Sequence, residues 1–308
     1  MADTELADVR RRLAGAATFN SYRLGSLAAR VMPGPLAAGA AASIGFGASF
    51  ANPAKRRMVE RHLRRVNPKM RGNALRVAVQ QAFDYYARYY VESFRLPTMS
   101  RAAVARPFTI DGWQHVLDGL EQGNGVILAL PHLGGWEWAG RWMTDQGFKM
   151  TVVVEALEPP ELFEWFADLR QKLGMTVVPT GPQAGPAVLK ALRANEAVCL
   201  LCDRDLDHSG VDVEFFGEHT TLPPGPATLS IRTGAPLLPV GCYFTAKYNG
   251  HHTLVRPPVS TQRLGGMRED VGRVTQELAR ELEFLIRRAP EQWHLFQPNW
   301  PSDPGYGD

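Results

Sequence analysis

One of the eight histidines in this 308-residue chain, His132, stands five residues before a carboxylate, Glu137. A histidine beside a carboxylate is a candidate general base. The carboxylate orients one ring nitrogen and leaves the other to take a proton from a hydroxyl. Five residues rotate a helix by roughly 500°, so the two side chains do not share a helix face. They converge if His132 lies on a loop and Glu137 in the first turn of the next helix, with Gly134-Gly135 letting the backbone bend between them. Spacing alone says little, because 8 His and 31 acidic residues produce about 0.8 such pairs by chance. The setting says more: the pair follows the apolar run Val126-Ile-Leu-Ala-Leu130, which reads as a buried parallel strand. Open α/β sheets place their sites at such strand ends. The competing reading is a histidine satisfied within the structure that does no chemistry.

Three further groups have suitable chemistry. The planar fork of Arg170 suits a phosphate, and a salt bridge is the alternative. Glu155 ends an apolar run, where a carboxylate would hydrogen-bond sugar hydroxyls or simply be solvated. Asp203-Arg204-Asp205 has the Asp-x-Asp form that holds a divalent cation at a nucleotide diphosphate, with His208 nearby. Other signals are bland. Cys199 and Cys202 are three apart along a strand and face opposite sides, so a redox or zinc pair is not expected. His251-His252 follows Asn249-Gly250 and reads as an exposed turn. Tyr85, Tyr86, Tyr89 and Tyr90 read as a helix-packing face. No Gly-x-Ser-x-Gly elbow occurs.

The elements that must position these groups follow from periodicity. Residues 55–66 and 74–94 read as helices, the first strongly basic. From about Phe108 the pattern alternates. Strands are expected at 126–130, 151–154, 176–178 and 197–201, with helices at 135–146, 161–173 and 184–194 between them. A strand at 211–216, a helix at 227–233, late strands at 237–244 and 253–257, and a charged helix at 269–288 complete the chain. This alternation predicts an α/β fold with a mostly parallel central sheet flanked by helices and a helical N-terminal region. No repeat or long linker stands out, so a single domain is expected, with residues 1–105 helical and membrane-associating and 106–308 the α/β core.

Composition is that of a globular protein, with 45% hydrophobic and 21% charged residues. Three cysteines do not make a disulfide framework and read as buried thiols of a reduced compartment. Residues 1–72 carry 13 Lys/Arg against 4 Asp/Glu, while the whole chain is only +3. A basic first quarter points to an anionic partner, and no nucleic-acid-binding motif accompanies it. The N-terminus opens acidic (Asp3, Glu5, Asp8) before Arg10-Arg11-Arg12, unlike a secretory signal, which points to the cytosol or the cytosolic face of a membrane. Residues 36–51 are apolar, small and too short to span. An interfacial or re-entrant segment and a helix packed closely on the core are both consistent with them.

The box Leu130-Pro-His132-x-x-x-x-Glu137 resembles the His-x4-Asp/Glu box of membrane acyltransferases. The surrounding sequence is similar to the lauroyl/myristoyl lipid A acyltransferase family and its actinobacterial branch, the phosphatidylinositol mannoside acyltransferases. Four further segments carry the likeness: Tyr89-Tyr90-Val-Glu92-Ser-Phe-Arg95-Leu-Pro97; Glu158-Pro-Pro to Arg170-x-x-x-Gly174; Asp203-Arg-Asp205 followed by Gly210-Val-Asp-Val-Glu-Phe-Phe-Gly217; and Pro290-Glu-Gln-Trp293. The lipid A enzymes usually carry Asp-Gln where this chain has Asp203-Arg204, which fits the mannoside branch.

The resemblance implies His132 as general base with Glu137 as its orienter. Glu155, Arg170, Asp203, Arg204 and Asp205 are then substrate-binding residues, with no metal and no cofactor beyond the co-substrate acyl-coenzyme A. It implies transfer of a fatty acyl chain, palmitoyl in this branch, to a mannose 6-hydroxyl of a phosphatidylinositol mannoside at the cytoplasmic face of the cell membrane. The acyl chain is expected in a narrow apolar channel beside the sheet. The N–H groups near Gly134-Gly135 are one source of oxyanion stabilisation. Three alternatives stand beside it: a lipid A-type acyltransferase acting on another glycolipid, a metal-dependent glycosyltransferase built on Asp203 and Asp205, and a non-catalytic adaptor for anionic lipid surfaces.

Overall fold

The computed structural model describes residues 15, 19–155, 159–206 and 208–307. Asp3, Glu5, Asp8, the three arginines at 10–12 and Glu158 lie outside the described residues. Five helices come first: α1 (residues 19–31), α2 (Gly34–Ala51), α3 (Pro53–Val66), α4 (Gly72–Arg95) and α5 (Arg101–Ala105). Then follow β1 (Phe108–Asp111), α6 (Trp113–Glu121), β2 (Val126–Leu130), α7 (Trp136–Asp145), β3 (Met150–Val154), α8 (Pro160–Lys172), β4 (Met175–Pro179), α9 (Ala184–Arg193) and β5 (Ala197–Leu201). The chain closes with the hairpin β6 (Val211–Phe215) and β7 (Glu218–Leu222), then α10 (Gly225–Thr233), β8 (Leu237–Phe244), β9 (His251–Val255) and α11 (Met267–Arg287).

Seven strands form one sheet in the order β1-β9-β8-β2-β5-β3-β4, parallel except for the β8–β9 pair. The fold is therefore α/β with a mostly parallel central sheet, flanked by helices and preceded by a helical region. β2 is buried along its whole length, because helices cover both faces of the sheet. One core cluster takes Ile127, Val198, Leu237 and the Val271, Val274, Leu278, Leu282, Leu285 stripe of α11, which recurs at three- and four-residue steps. A second takes Leu128, Val152, Leu238 and Val240. Cys199 packs in the second cluster and Cys202 in the first, so the two thiols face opposite sides of the sheet as their spacing predicts.

β1, β7 and the start of β9 depart from the expected pattern, and α5 and α6 form where no individual element is expected. β1 is a four-residue edge strand paired only to β9 and too short to show a period. β7 has the sequence Glu-His-Thr-Thr-Leu, with no apolar alternation. It forms because Phe216 and Gly217 both take positive φ, as a two-residue hairpin turn requires. The turn at Asn249-Gly250 ends two residues sooner than expected, so His251 opens β9. It is buried there, stacked on Trp138 at 4.2 Å and bonded through Nε2 to Glu92 at 2.7 Å.

Helix α2 packs one face on the core and leaves the other exposed. Ala37, Ala41, Gly45 and Ser49, spaced four apart, form a small-residue stripe buried against α4. A Cβ at Gly45 would stand 2.6 Å from the Asp84 backbone, so the close approach requires glycine. The opposite face exposes Leu36, Ile44, Phe46 and Phe50, and α1 exposes Leu24, Leu27 and Val31. At 18 residues α2 is longer than the expected segment and reaches the length and apolarity of a short membrane-crossing helix. Arg95 at the end of α4 holds α1 in place, donating from Nη1 to the carbonyls of Ala29 (2.9 Å) and Met32 (2.5 Å).

Candidate active site

β2 and β5 are parallel neighbours with Leu130 opposite Leu201. His132 and Asp203 each lie two residues beyond those partners, so the register delivers them side by side at the carboxyl end of the sheet. His132 Nδ1 lies 2.7 Å from Asp203 Oδ1, and the His132 backbone N–H donates to Asp203 Oδ2 at 3.0 Å. Trp293 Nε1 donates to the same Oδ2 at 2.7 Å, and Asn299 Nδ2 donates to the Asp203 carbonyl. Asp203 is fully buried. Burial alone would push its carboxyl up. The interaction with His132 and the hydrogen bonds from His132 and Trp293 outweigh it and hold the group below its ordinary value. An ionised carboxylate only accepts, so His132 Nδ1 is the donor, and the neutral form of the ring then has its lone pair on Nε2. The His132 side chain is 28% exposed and lines a cavity of about 1050 Å³.

Glu137 does not touch His132. The five-residue spacing predicts Glu137 as the carboxylate on the ring, but the structure puts Asp203 there. Glu137 sits in the first turn of α7, almost wholly buried, and faces α4 and α8. Its Oε1 accepts from Tyr89 Oη at 2.6 Å and from Arg170 Nη2 at 3.0 Å. Burial raises the Glu137 carboxyl, and Arg170 and Tyr89 only partly offset it. Burial opposes the charge on Arg170 too, but Glu137 and Tyr89 outweigh it and raise that group further. Arg170 also stacks on Trp136, its guanidinium carbon 5.0 Å from the ring centroid.

Of the residues singled out in the sequence, His132, Glu155, Arg170, Arg204 and Asp205 line this large cavity. Glu155 and Arg204 form an ion pair across its wall at 2.5 Å. Asp205 ties down the following loop through Gly210 N–H at 2.7 Å. Asp203 and Glu137 stand behind the wall, so Asp203, expected at the substrate, instead holds the histidine. Tyr86, Tyr89 and Tyr90 of α4 line the cavity as well as packing the helix, and Tyr22 of α1 joins them. His294 also lines it. Burial pushes His294 down to about 3, so the ring is neutral, with Nε2 donating to Gly134 O at 3.2 Å. A second, narrow crevice of about 40 Å³ runs beside the sheet among Phe108, Trp113, Leu128, Trp142 and Val240, and Trp136 lines both spaces.

The loop between His132 and α7 is shaped by its glycines. Gly134 has φ +60°, and a Cβ there would meet the Cys242 carbonyl at 2.2 Å. Its N–H is spent on Gln292 O at 3.0 Å and is therefore withdrawn from the oxyanion role expected near this pair. Sequence reading missed Trp293, Asn299 and His294 as site residues. The signal for Trp293 was present in the Pro290-Glu-Gln-Trp293 segment. The Asp-x-Asp cation reading loses a ligand here, because both Asp203 oxygens are taken by N–H donors. No group of three or more His, Cys, Asp or Glu able to hold a metal occurs among the described residues.

The family model for bacterial lipid A biosynthesis acyltransferases matches residues 11–302. A phosphatidylinositol mannoside acyltransferase of Mycolicibacterium smegmatis is 36% identical over 295 residues, 94% of each chain. A protein of the same name from Mycobacterium tuberculosis is 40% identical over 227 residues, 72% of this chain and 70% of its own. A lipid A biosynthesis acyltransferase of Haemophilus influenzae is 24% identical over 186 residues, 59% of this chain and 55% of its own. A strand-end histidine held by a buried carboxylate at the wall of a large cavity thus occurs in a chain that belongs to the bacterial lipid A biosynthesis acyltransferase family.

Proposed function

We propose that the chain transfers a fatty acyl group, palmitoyl by preference, from acyl-coenzyme A to a mannose 6-hydroxyl of phosphatidylinositol mannoside. The observation that carries the chemistry is the His132–Asp203 pair, which engages Nδ1 and leaves Nε2 free of a protein partner at a cavity large enough for a glycolipid headgroup. His132 Nε2 takes the proton of the acceptor hydroxyl as its oxygen bonds to the thioester carbonyl carbon. The tetrahedral oxyanion then collapses, the carbon–sulfur bond breaks, and the imidazolium returns the proton to the departing thiolate. No covalent enzyme intermediate is needed. The N–H groups at the start of α7 are the donors for the oxyanion once Gly134 is excluded.

The acceptor reading rests on the names of the mycobacterial relatives and on the cavity wall. Arg170 and Arg204 suit the inositol phosphate or the donor's phosphates, and Glu155 and Asp205 suit sugar hydroxyls. Val153, Leu162, Phe166 and Leu200 give the same cavity an apolar side for the acyl chain. The crevice behind Trp136 is too small as it stands for more than one small group. The exposed apolar faces of α1 and α2, next to the basic α3, dock the protein on an anionic bilayer at its cytoplasmic side.

The test offers radiolabelled palmitoyl-coenzyme A with a chelator present and supplies phosphatidylinositol mannoside and a lipid A precursor separately. Label on the mannoside is expected. Label on the lipid A precursor alone would move the acceptor, and an intact thioester with neither labelled would overturn the proposal.

A further inference from the structure

The segment after α11 does more than close the core. Residues 290–303 run beside the loop that carries His132 and grip it along its length. Gln292 O takes the Gly134 N–H at 3.0 Å, Trp293 bridges antiparallel to Leu133, and the His294 N–H donates to His132 O at 2.7 Å. The same segment holds Asp203, through Asn299 at its carbonyl and Trp293 at its carboxylate. It is itself anchored further on. Trp300 Nε1 donates to Phe215 O at 3.1 Å, and Asp303 pairs with Arg65 of α3 at 2.9 Å.

We propose that Trp293 is a positioning residue for acyl transfer, its indole N–H setting the rotation of the Asp203 carboxylate that holds His132. The inference rests on the reading of His132 as the base. A carboxylate is free to turn about its Cβ–Cγ bond unless its two oxygens are told apart. Here two N–H donors, from Trp293 and from the His132 backbone, converge on Oδ2, which leaves Oδ1 for the imidazole Nδ1–H. Trp293 does not line the cavity and is 4% exposed, packed against Phe215, Phe216 and Trp300. It therefore acts on the reaction through Asp203 and not by touching substrate.

The competing role is packing alone, and a substitution that removes only the donor separates the two. Replacing Trp293 by L-3-benzothienylalanine exchanges the N–H for sulfur and keeps the ring and its contacts. The expected result with palmitoyl-coenzyme A and phosphatidylinositol mannoside is a fall in kcat of about 10- to 100-fold, the range for one hydrogen bond to a charged group. KM for both substrates should stay as in wild type, while the thermal midpoint falls by a few degrees for the lost buried hydrogen bond. The same replacement made on Asp203→Asn should cost no further activity, because the carboxylate it acts on is gone. Trp293→Phe, which leaves a void, should show the same dependence on Asp203 on top of a lower midpoint. A kcat within twofold of wild type overturns the inference, and so does an equal loss on the Asp203→Asn background. Full activity in Asp203→Asn alone would overturn the reading of the His132 pair, a different failure.

Discussion

Asp203→Asn is the substitution whose outcome the geometry specifies most closely. The carboxylate meets three N–H donors: the imidazole at Oδ1, and the His132 backbone and Trp293 indole at Oδ2. An asparagine amide has one oxygen and one NH2 to place in those two positions. Oxygen toward the imidazole sets NH2 against two donors, while oxygen at the Oδ2 position satisfies both and turns NH2 toward Nδ1. The second arrangement makes three hydrogen bonds against one, an advantage of two, each on the order of 1 kcal/mol or more in a buried site. It forces the imidazole to accept at Nδ1 and to carry its proton on Nε2, which removes the base. A triad aspartate replaced in the same way costs about 10⁴-fold by tautomer, and the loss expected here is about 10³- to 10⁴-fold in kcat with little change in KM. The assay is initial-rate transfer of labelled palmitate, with circular dichroism and thermal unfolding to confirm the fold. A kcat within tenfold of wild type in a folded Asp203→Asn protein would refute the reasoning.

Glu137→Gln leaves the Arg170 guanidinium buried without its carboxylate and should destabilise the fold by about 3 kcal/mol, with Glu137→Met/Arg170→Met recovering most of it. Urea unfolding of the three proteins checks this, and a single variant as stable as wild type would contradict it. His62 donates from Nε2 to Gln297 O and accepts at Nδ1 from Arg65, and its burial pushes it from 6.5 down to about 4. The unfolded chain therefore binds a proton that the fold resists, so stability is full above pH 6.5 and falls as pH drops toward 4. Wild type should lose about 3 kcal/mol more than His62→Gln across that window, and parallel pH profiles would contradict it. Phe46→Glu/Phe50→Glu on the exposed face of α2 should weaken sedimentation with anionic vesicles by tenfold or more without changing the thermal midpoint. Unchanged vesicle binding would place the membrane contact elsewhere.

The alternation of strands and helices was legible because each apolar run of β2, β3 and β5 is buried on both faces and bounded by polar turns. The partner of His132 was not. β2 and β5 are far apart in sequence and adjacent only through the order of the sheet, so nothing local sets Leu130 beside Leu201. Given that one register, Leu130-Pro-His132 and Leu201-Cys-Asp203 have the same offset and the pair follows. The Glu137–Arg170–Tyr89 cluster joins α7, α8 and α4, and its convergence depends on helix packing that no spacing encodes. As sequence, the tryptophans of the tail suit lipid or core equally. Only the fold shows that Trp293 spends its N–H on Asp203. His251 was misplaced because the strand begins two residues before the expected 253, which at the mouth of a strand is the difference between solvent and core.

The most direct measurement of the central claim is acyl transfer by purified His132→Ala beside wild type, both folded and both supplied with palmitoyl-coenzyme A and phosphatidylinositol mannoside. Wild type should label the mannoside, and the variant should lose at least about 10³-fold in kcat while its thermal midpoint stays within a few degrees. Transfer by folded His132→Ala at the wild-type rate would contradict it.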